Sequence, residues 1–332
     1  MSFQMDTPKI SVGIPVYNGE RVLRRALESL CAQTCEGLEI VISDNASTDA
    51  TAEICREYAA RDPRVKYFRN ERNIGPIANF RRVTELARGE YFAWNAADDV
   101  RPGGSLETCV RALDRCREAV MAHGPIEVQL PSPPAVVVVT NEMNLSSPRV
   151  EDRIRTFTRR LEHNGMLFGV FRREAVGASS IGAHYGQDYL FCLKTCLQGP
   201  VLYVDNPIIR YQQRSNEINS PMYTWVPVSL RDLLFYRGVR RSKCWLTLVL
   251  GCYYLLNEPA VSAGAAVRAT RAHVRSFIAR YGRHLAGELI FLAFTPVHWV
   301  TMPLQPLALK AVGALRRYGL MASAADRAPS QS

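Results

Sequence analysis

Four short segments of the chain are rich in Asp, Asn and Gly, and each of them directly follows an apolar segment. They span residues 15–19, 44–49, 69–79 and 95–99. Carboxylates ligate hard cations and accept hydrogen bonds, amides both donate and accept, and glycine permits close backbone approach. This concentration of polar groups exceeds what turns alone require, so the four segments are the candidate ligand-binding site.

The apolar segments alternate with helical patterns, which predicts the framework that holds these groups. Residues 9–16, 38–44, 64–68 and 90–94 are short and rich in β-branched or aromatic residues, as is typical of buried strands. Apolar residues recur at helical spacing between them. Strands joined by helical crossovers form a mainly parallel sheet covered on both faces, and such sheets bind ligands beyond the carboxyl ends of their strands.

The same patterns continue less regularly toward residue 225. Helices are predicted over residues 103–117, 150–163 and 189–199, and strands over residues 120–124, 136–140, 166–171 and 201–205. Ser47 or Thr48 is predicted to cap the second helix, and Gly199 to end the last of these helices. The composition changes after about residue 225, so we expect an α/β domain over 1–225 and a helical region over 226–332.

The last third of the chain is both basic and apolar. The 332 residues carry a formal net charge of +10, and much of the excess lies in Arg231, Arg237, Arg240, Arg241, Lys243, Arg268, Arg271, Arg275, Arg280 and Arg283. Basic residues beside apolar segments favour an anionic membrane surface over nucleic acid, with a solvated helix face as the alternative. Residues 243–257 are too few to span a bilayer. Residues 289–309 are enough but contain three prolines, so a spanning, an interfacial and a buried position all remain open.

Cysteine spacing and the start of the chain indicate a reducing compartment. The nine cysteines include no CxxC pair and are predicted to be small buried apolar residues. The first residues lack the basic stretch and apolar run of a secretory signal. We therefore predict a cytoplasmic protein, peripheral or anchored at the inner face of the cell membrane.

The polar segments together resemble a known enzyme family. PVYNGE (15–20), SDNASTDAT (43–51), NIGPIANFRR (73–82) and GEYFAWNAADD (89–99) stand in the order and at the spacing found in glycosyltransferase family 2. This resemblance covers roughly residues 8–215. It implies a GT-A fold and transfer of a sugar, with inversion, from a nucleoside diphosphate sugar to the hydroxyl of a carbohydrate or lipid-linked acceptor. Cell-surface polysaccharide or glycolipid synthesis is the expected setting.

The resemblance assigns the nucleotide base to the first two polar segments. Asp44 matches the acidic residue that accepts a hydrogen bond from the imide N–H of a uracil-type base. Pro15, Tyr17 and Glu20 would lie beside that base. A structural role for Asp44 in a turn or cap is the alternative interpretation.

The third polar segment matches the family's stretch near the ribose and the donor sugar. Asn73 and Asn79 carry amides that can bind hydroxyl groups, and Gly75 permits close backbone approach. A helix that begins after Gly75 would also direct backbone N–H groups toward phosphate. A helix cap without a binding role is the alternative.

The fourth polar segment matches the family's carboxylate motif. A hard divalent cation, Mg²⁺ or Mn²⁺, held by one or two carboxylates and the diphosphate would stabilise the departing group. The resemblance assigns the metal to Asp98 and contact with the sugar to Asp99. The family usually has another Asp two positions before Asp98, where this chain has Ala96, so fewer carboxylates are present.

Asp188 matches the family's acidic residue at the start of a helix and is the predicted base for the acceptor hydroxyl. The family often has Glu before it, whereas this chain has Gln187. Arg214, with Arg210, is a candidate for the diphosphate, and His184 is a further candidate nearby.

Three other function classes were weighed against the sugar transferase. A non-catalytic sugar-nucleotide-binding scaffold is favoured by Ala96 and Gln187 and predicts binding without turnover. A dinucleotide-dependent oxidoreductase would need a GxGxxG loop after the first strand, where PVYNGE stands instead. A nucleic-acid-binding protein is supported by charge alone, without a module motif, so no nucleic-acid partner is expected.

Overall fold

The computed structural model describes residues 7–131, 134–140, 142–143, 145–161, 164–179, 187–212, 243–257 and 261–294. Its strands are β1 (Ile10–Val16), β2 (Leu38–Asp44), β3 (Val65–Arg69), β4 (Tyr91–Trp94), β5 (Met121–His123), β6 (Ile126–Pro131), β7 (Pro134–Val139), β8 (Val170–Arg172), β9 (Val201–Tyr203) and β10 (Ile209–Gln212). Its helices are α1 (Leu23–Cys31), α2 (Thr51–Arg61), α3 (Pro76–Leu86), α4 (Ser105–Arg115), α5 (Val150–Arg160), α6 (Arg173–Ser179), α7 (Gln187–Gln198), α8 (Lys243–Leu256) and α9 (Ala263–Phe294), with a 3₁₀ helix at Asn164–Phe168.

A seven-stranded sheet in the order β3-β2-β1-β4-β8-β5-β9 forms the centre of the molecule, and β10-β6-β7 form a smaller sheet. The first four strands of the chain are parallel, with Val16 opposite Asp44 and Gly13 opposite Trp94. β8 runs antiparallel between β4 and β5. The predicted α/β class and mainly parallel sheet are confirmed, and the carboxyl ends of β1 to β4 lie at one edge.

The central sheet separates two hydrophobic cores. On one face, side chains such as Leu23, Ile54 and Leu106 pack from α1, α2 and α4. On the other face the core contains residues of α3, α5, α7, α8 and α9, including Phe157 and Phe191. Both faces are therefore covered, as expected of a mainly parallel sheet.

Packing of α3 on β1 requires a glycine in the middle of the strand. A Cβ at Gly13 would lie 2.8 Å from the ring of Phe92 and 2.9 Å from the side chain of Val83. Any side chain here would push α3 away from the sheet. The position of α3 matters because its first residues border the candidate site.

The last two described helices pack against the α/β body. Leu255 of α8 and Ala269 of α9 belong to the second core. His273 of α9 is fully buried, its Nδ1 lies 3.0 Å from Oγ1 of Thr158 in α5, and Gly251 of α8 lies against its ring. The predicted boundary near residue 225 lies outside the described residues.

The apolar segment 243–257 forms α8, and residues 289–294 of the second apolar segment end α9, whereas the remainder of 289–309 lies outside the described residues. Within the described ranges, no helix combines the length and the hydropathy that a membrane span requires.

Several local predictions are wrong for identifiable reasons. Residues 164–168 form a 3₁₀ helix, so the strand expected over 166–171 is confined to β8. Helix α2 begins at Thr51, whose N–H is bound by the carboxylate of Asp49, so neither Ser47 nor Thr48 caps it. The eight cysteines with described side chains are free thiols, which agrees with the sequence.

Burial of His273 predicts a pH-dependent stability. Burial lowers the pKa of His273 to about 3 from 6.5, so between these pH values the unfolded chain binds a proton that the folded chain does not. Stability is complete above pH 6.5 and decreases as pH falls, by about 1.4 kcal/mol per unit from this group. The free energy of unfolding, measured in urea, should fall between pH 6.5 and pH 5.0 in the unsubstituted protein. In His273→Gln this fall should be smaller by about 2 kcal/mol. An equal fall in the free energy of unfolding in the two proteins would contradict this role of His273.

Candidate functional site

The loops after β1 and β2 are held together by side chain to backbone hydrogen bonds. Asn18 N–H donates to Oγ of Ser47 at 2.9 Å, and Thr48 N–H donates to Oδ1 of Asn18 at 2.9 Å. Ala50 N–H donates to the carboxylate of the exposed Glu20 at 3.2 Å. Glu20, predicted to border the base, therefore fixes the start of α2 at the rim of the site.

Asp44, at the end of β2, is the electrostatic centre of this half of the site. Its side chain is fully buried and accepts hydrogen bonds from Ser47 N–H (2.8 Å), the Tyr67 hydroxyl (2.9 Å) and Nη1 of Arg69 (2.8 Å). Burial and the bond to Asp44 raise the pKa of Tyr67 to about 12, so its hydroxyl stays a donor at neutral pH. A carboxylate has about four acceptor positions, and three are used here.

Arg69 places a positive charge beside this carboxylate. Its Nη2 also donates to the carbonyl of Ser47 at 2.8 Å, and its side chain is 40% exposed. Pro15 is half-buried in β1, and Tyr17 follows that strand with 49% of its surface exposed. The edge of the sheet therefore combines an exposed aromatic ring with a buried carboxylate and a partly exposed guanidinium.

Asn79 is buried in a network of amide hydrogen bonds and does not reach the surface. Its Oδ1 accepts from Ser43 Oγ (2.7 Å) and Asn70 Nδ2 (3.1 Å), and its Nδ2 donates to the Ser43 carbonyl (2.9 Å). Asn45 Nδ2 donates to Oδ1 of Asn73 at 2.8 Å. Asn73 is exposed, so of the two predicted amides it is the one at the surface.

Gly75 ends this segment in a conformation that requires glycine. Its φ of 85° and ψ of 158° lie in a region that residues with a Cβ essentially do not adopt. Its N–H donates to Oδ1 of Asn73 at 2.8 Å, and α3 begins at the next residue, Pro76. The first turn of α3 thus opens beside Asn73, as the sequence predicts.

The loop after β4 carries Asp98, predicted to hold the metal, and Asp99, predicted to contact the donor sugar. Asp98 is half-buried and Asp99 is 3% exposed. Asp99 N–H donates to the carbonyl of Ala96 at 3.2 Å, and Nδ2 of Asn95 donates to the carbonyl of Asp99 at 3.1 Å. The loop is therefore a tight turn closed by Asn95, with the two carboxylates at its end.

A buried arginine that the sequence argument missed fixes this loop. The Arg101 guanidinium donates to the carbonyls of Trp94 (2.6 Å), Phe168 (2.9 Å) and Ile208 (2.8 Å) and to Oδ1 of Asn95 (3.2 Å). Burial lowers its pKa to about 10, which leaves it charged at neutral pH. An arginine two residues after a strand-end carboxylate pair was the available clue, but its partners lie too far along the chain to be inferred.

The remaining candidates lie on other elements. Asp188 is half-buried in the first turn of α7 and accepts from the N–H of Tyr189 at 2.9 Å. Arg210 lies in β10, with its Nε bonded to Oε2 of Glu127 at 2.6 Å, and its backbone pairs with Val100 beside the carboxylate loop. Arg214 and His184 lie outside the described residues.

The carboxylate loop fits a cation that takes few protein ligands. Within the described ranges, no group of three or more His, Cys, Asp or Glu side chains is arranged to hold a metal ion. Asp98 and Asp99 supply hard oxygen donors of the kind that Mg²⁺ and Mn²⁺ accept. Two adjacent carboxylates suit an ion whose other ligands are phosphate oxygens and water.

Comparison with known proteins identifies the family. The model for glycosyl transferase family 2 matches residues 11–167, which contain all four polar segments. This part of the chain belongs to glycosyltransferase family 2. Over 115 residues the chain is 42% identical to a Mycobacterium tuberculosis protein, a stretch that covers 34% of this chain and 33% of that protein.

Relatives named as glycosyltransferases match the same part. The identity is 40% over 105 residues with the glycosyltransferase GlyA of Streptococcus pneumoniae, covering 32% of this chain and 15% of that protein. The identity is 33% over 117 residues with a glycosyltransferase of Methanocaldococcus jannaschii, a stretch that covers 35% of this chain and 40% of that protein. The matched stretch is thus less than half of either relative.

The chain shares its fold with a solved structure. TarS of S. aureus, crystallised with UDP-GlcNAc, superposes with a TM-score of 0.59 at 18% identity, over 93% of this chain and 81% of that one. The expected GT-A-like α/β fold is therefore confirmed.

Replacing Arg101 tests whether it positions the carboxylate loop. Arg101→Leu leaves three buried carbonyls and an Asn side chain without their donor, and each unsatisfied group costs about 1–3 kcal/mol. We expect the free energy of unfolding, measured in urea, to fall by more than about 2 kcal/mol. Arg56→Leu, at an exposed position of α2, is the control and should change stability by less than about 0.5 kcal/mol. A near-neutral Arg101→Leu would contradict this role.

Proposed function

We propose that this chain transfers a sugar from a nucleoside diphosphate sugar to an acceptor hydroxyl, with inversion at the anomeric carbon. The observation that carries the proposal is the edge of the sheet, where the polar segments of a family 2 domain come together beyond the ends of β1 to β4. This edge offers an aromatic ring, a carboxylate and guanidinium pair, and two carboxylates on one fixed loop. Ligands of parallel sheets bind at this edge.

The proposed binding site for the nucleotide base lies at Pro15, Tyr17, Asp44 and Arg69. A uracil ring presents an imide N–H between two carbonyl oxygens. Asp44 has one acceptor position left for the N–H, and Arg69 has further N–H groups for a carbonyl. The Tyr17 ring offers a surface for stacking. TarS, which shares the fold, was crystallised with UDP, a nucleotide with this base.

The proposed sugar and diphosphate site lies between Asn73, Gly75 and the carboxylate loop. Asn73 would bind a hydroxyl of the ribose or sugar, while Asn79 holds α3 in place from its buried network. Asp99 would contact the donor sugar. A divalent cation held by Asp98 would, when bound, neutralise charge on the departing diphosphate.

The proposed general base, which takes the proton of the acceptor hydroxyl, is Asp188 in the first turn of α7. As the acceptor oxygen attacks the anomeric carbon, its proton passes to the Asp188 carboxylate. The bond between the anomeric carbon and the diphosphate oxygen breaks at the same time, and the nucleoside diphosphate leaves. A single displacement of this kind inverts the anomeric centre.

The acceptor is proposed to be a carbohydrate or a lipid-linked sugar, used in cell-surface polysaccharide or glycolipid synthesis. The protein would work as a peripheral protein at the cytoplasmic face of the membrane. The rival proposal, a scaffold that binds the donor without turnover, is favoured by Ala96 in place of a carboxylate. It differs from the transferase in one measurable respect, the release of nucleoside diphosphate.

Turnover of the donor distinguishes these proposals. Nucleoside diphosphate release from a panel of donor sugars, with membrane extract as acceptor, should require Mg²⁺ or Mn²⁺ and stop in EDTA. Asp98→Ala and Asp188→Ala should each lower the rate at least about 100-fold, because each removes a group that acts in the transition state. Glu53→Ala, at an exposed position of α2, is the matched control and should keep full activity.

The outcomes separate clearly. Donor binding without turnover under every condition would favour the scaffold. Activity that persists in Asp188→Ala would keep the enzyme but exclude Asp188 as the base. Activity unaffected by EDTA would exclude the metal.

Binding of UDP tests the base site separately from catalysis. Arg69→Gln removes charge-assisted hydrogen bonds, which contribute about 1.5–3 kcal/mol each, so UDP should bind at least about tenfold more weakly. Arg56→Gln removes an exposed arginine outside the site and should leave the dissociation constant unchanged. If calorimetry shows the same UDP affinity in Arg69→Gln as in the unsubstituted protein, the nucleotide base binds elsewhere.

A further inference from the structure

A groove between the amino-terminal halves of α5 and α9 has arginine as its most frequent lining residue. It contains two neighbouring cavities of about 620 Å³ and 230 Å³, which share Glu151 and Arg268 as walls. We call this feature the arginine groove. Its exposed arginines are Arg149 and Arg155 from the α5 side and Arg268, Arg271 and Arg275 from α9.

The charge of the arginine groove is only partly balanced. Glu151 pairs with Arg149 at 3.0 Å and lies 3.6 Å from Arg268, while Asp152 pairs with Arg155 at 2.6 Å. Two carboxylates thus pair with three of the five exposed guanidinium groups.

Arg271 and Arg275 carry the excess charge. They lie four residues apart on one face of α9, and among the described residues neither forms an ion pair. Like charges at this spacing destabilise an isolated helix, so the protein alone gains nothing from the arrangement. Both line the 230 Å³ cavity with Arg155 and Arg268, so the cavity presents four guanidinium groups and the single carboxylate of Glu151.

Sequence neighbours on α9 behave differently, which argues against a uniformly solvated face. Arg280 turns inward, where its Nη1 donates to the carbonyl of Thr158 at 3.3 Å and its guanidinium lies over the ring of Tyr281. Arg271 and Arg275 instead point away from the core and are exposed. Of the basic residues on α9, Arg280 therefore has a structural role, whereas Arg271 and Arg275 lie on the surface.

An apolar side chain on the same face favours lipid as the partner. Ile278 follows Arg275 by three residues and Arg271 by seven, and 51% of its surface is exposed. Guanidinium groups bind phosphate bidentately, and an exposed aliphatic side chain beside them matches the boundary between head groups and acyl chains. A nucleic acid would offer phosphates but no apolar layer for Ile278.

The arginine groove is separate from Asp188, the residue proposed to take the acceptor proton. Leu197, near the end of α7, lines it, whereas Asp188 lies in the first turn of that helix. Nine residues of helix place about 14 Å between their backbones. A partner in the groove would leave the candidate site accessible.

We propose that the arginine groove, with Ile278 at its border, is the surface by which this protein docks on anionic phospholipid head groups. The proposal does not depend on sugar transfer, because no residue of the groove belongs to the candidate active site. It assigns to Arg271 and Arg275 a function that the fold does not require.

Vesicle binding tests the proposal on the full chain. Sedimentation with vesicles of phosphatidylglycerol and phosphatidylcholine, compared with phosphatidylcholine alone, should show binding only to the anionic vesicles. Arg271→Gln with Arg275→Gln should weaken binding about 30-fold, since each basic residue near an anionic surface contributes about a factor of five. Arg25→Gln with Arg56→Gln removes the same charge from exposed positions of α1 and α2 and should leave binding within about twofold of the unsubstituted protein, as should lysine at both groove positions.

The other outcomes overturn the proposal. Equal weakening in both glutamine pairs would mean that net charge alone acts. Absence of anionic vesicle binding would exclude lipid, and loss of binding to a DNA duplex in the groove variant with unchanged vesicle binding would mean a nucleic-acid surface. Donor hydrolysis, measured without vesicles, should stay unchanged in the groove variant, so failure here is distinct from failure of the proposed transferase.

Discussion

The buried guanidinium of Arg101 joins parts of the chain that are distant in sequence. It binds the end of β4, the 3₁₀ helix and the residue before β10 through carbonyl groups. A buried positive charge is costly, and its four oxygen acceptors, three carbonyls and Oδ1 of Asn95, offset that cost. As a result, the loop that carries Asp98 and Asp99 is fixed by the body of the domain rather than by its own short sequence.

A second buried group organises the other half of the edge. Asp44 accepts hydrogen bonds from a backbone N–H, a tyrosine and an arginine, so one carboxylate connects the ends of β2 and β3. The two halves differ in purpose. In the proposed site, Asp44 and Arg69 form a donor and acceptor pair for a flat heterocycle, whereas Asp98 would hold a cation and Asp99 would contact the donor sugar.

The sequence predicts the framework well where structure is local. β1 to β4 and α3 follow from apolar periodicity and from the turn residues that bound them, and the four polar segments lie at one edge because parallel strands end together. Pairings between distant segments were not predictable. The patterns do not reveal that Ile126–Pro131 and Ile209–Gln212 pair as strands. They also do not show that Asn79 faces inward, because an asparagine at a helix start is compatible with surface and core alike.

The thiols described above have a chemical consequence. Burial raises the pKa of Cys55, Cys109, Cys196 and Cys252 to about 12. Since the thiolate is the form that reacts with electrophiles and oxidants, these sulfur atoms are inert at neutral pH. Since thiol–disulfide exchange also proceeds through the thiolate, these four core positions are unfavourable sites for a cross-link while the chain is folded.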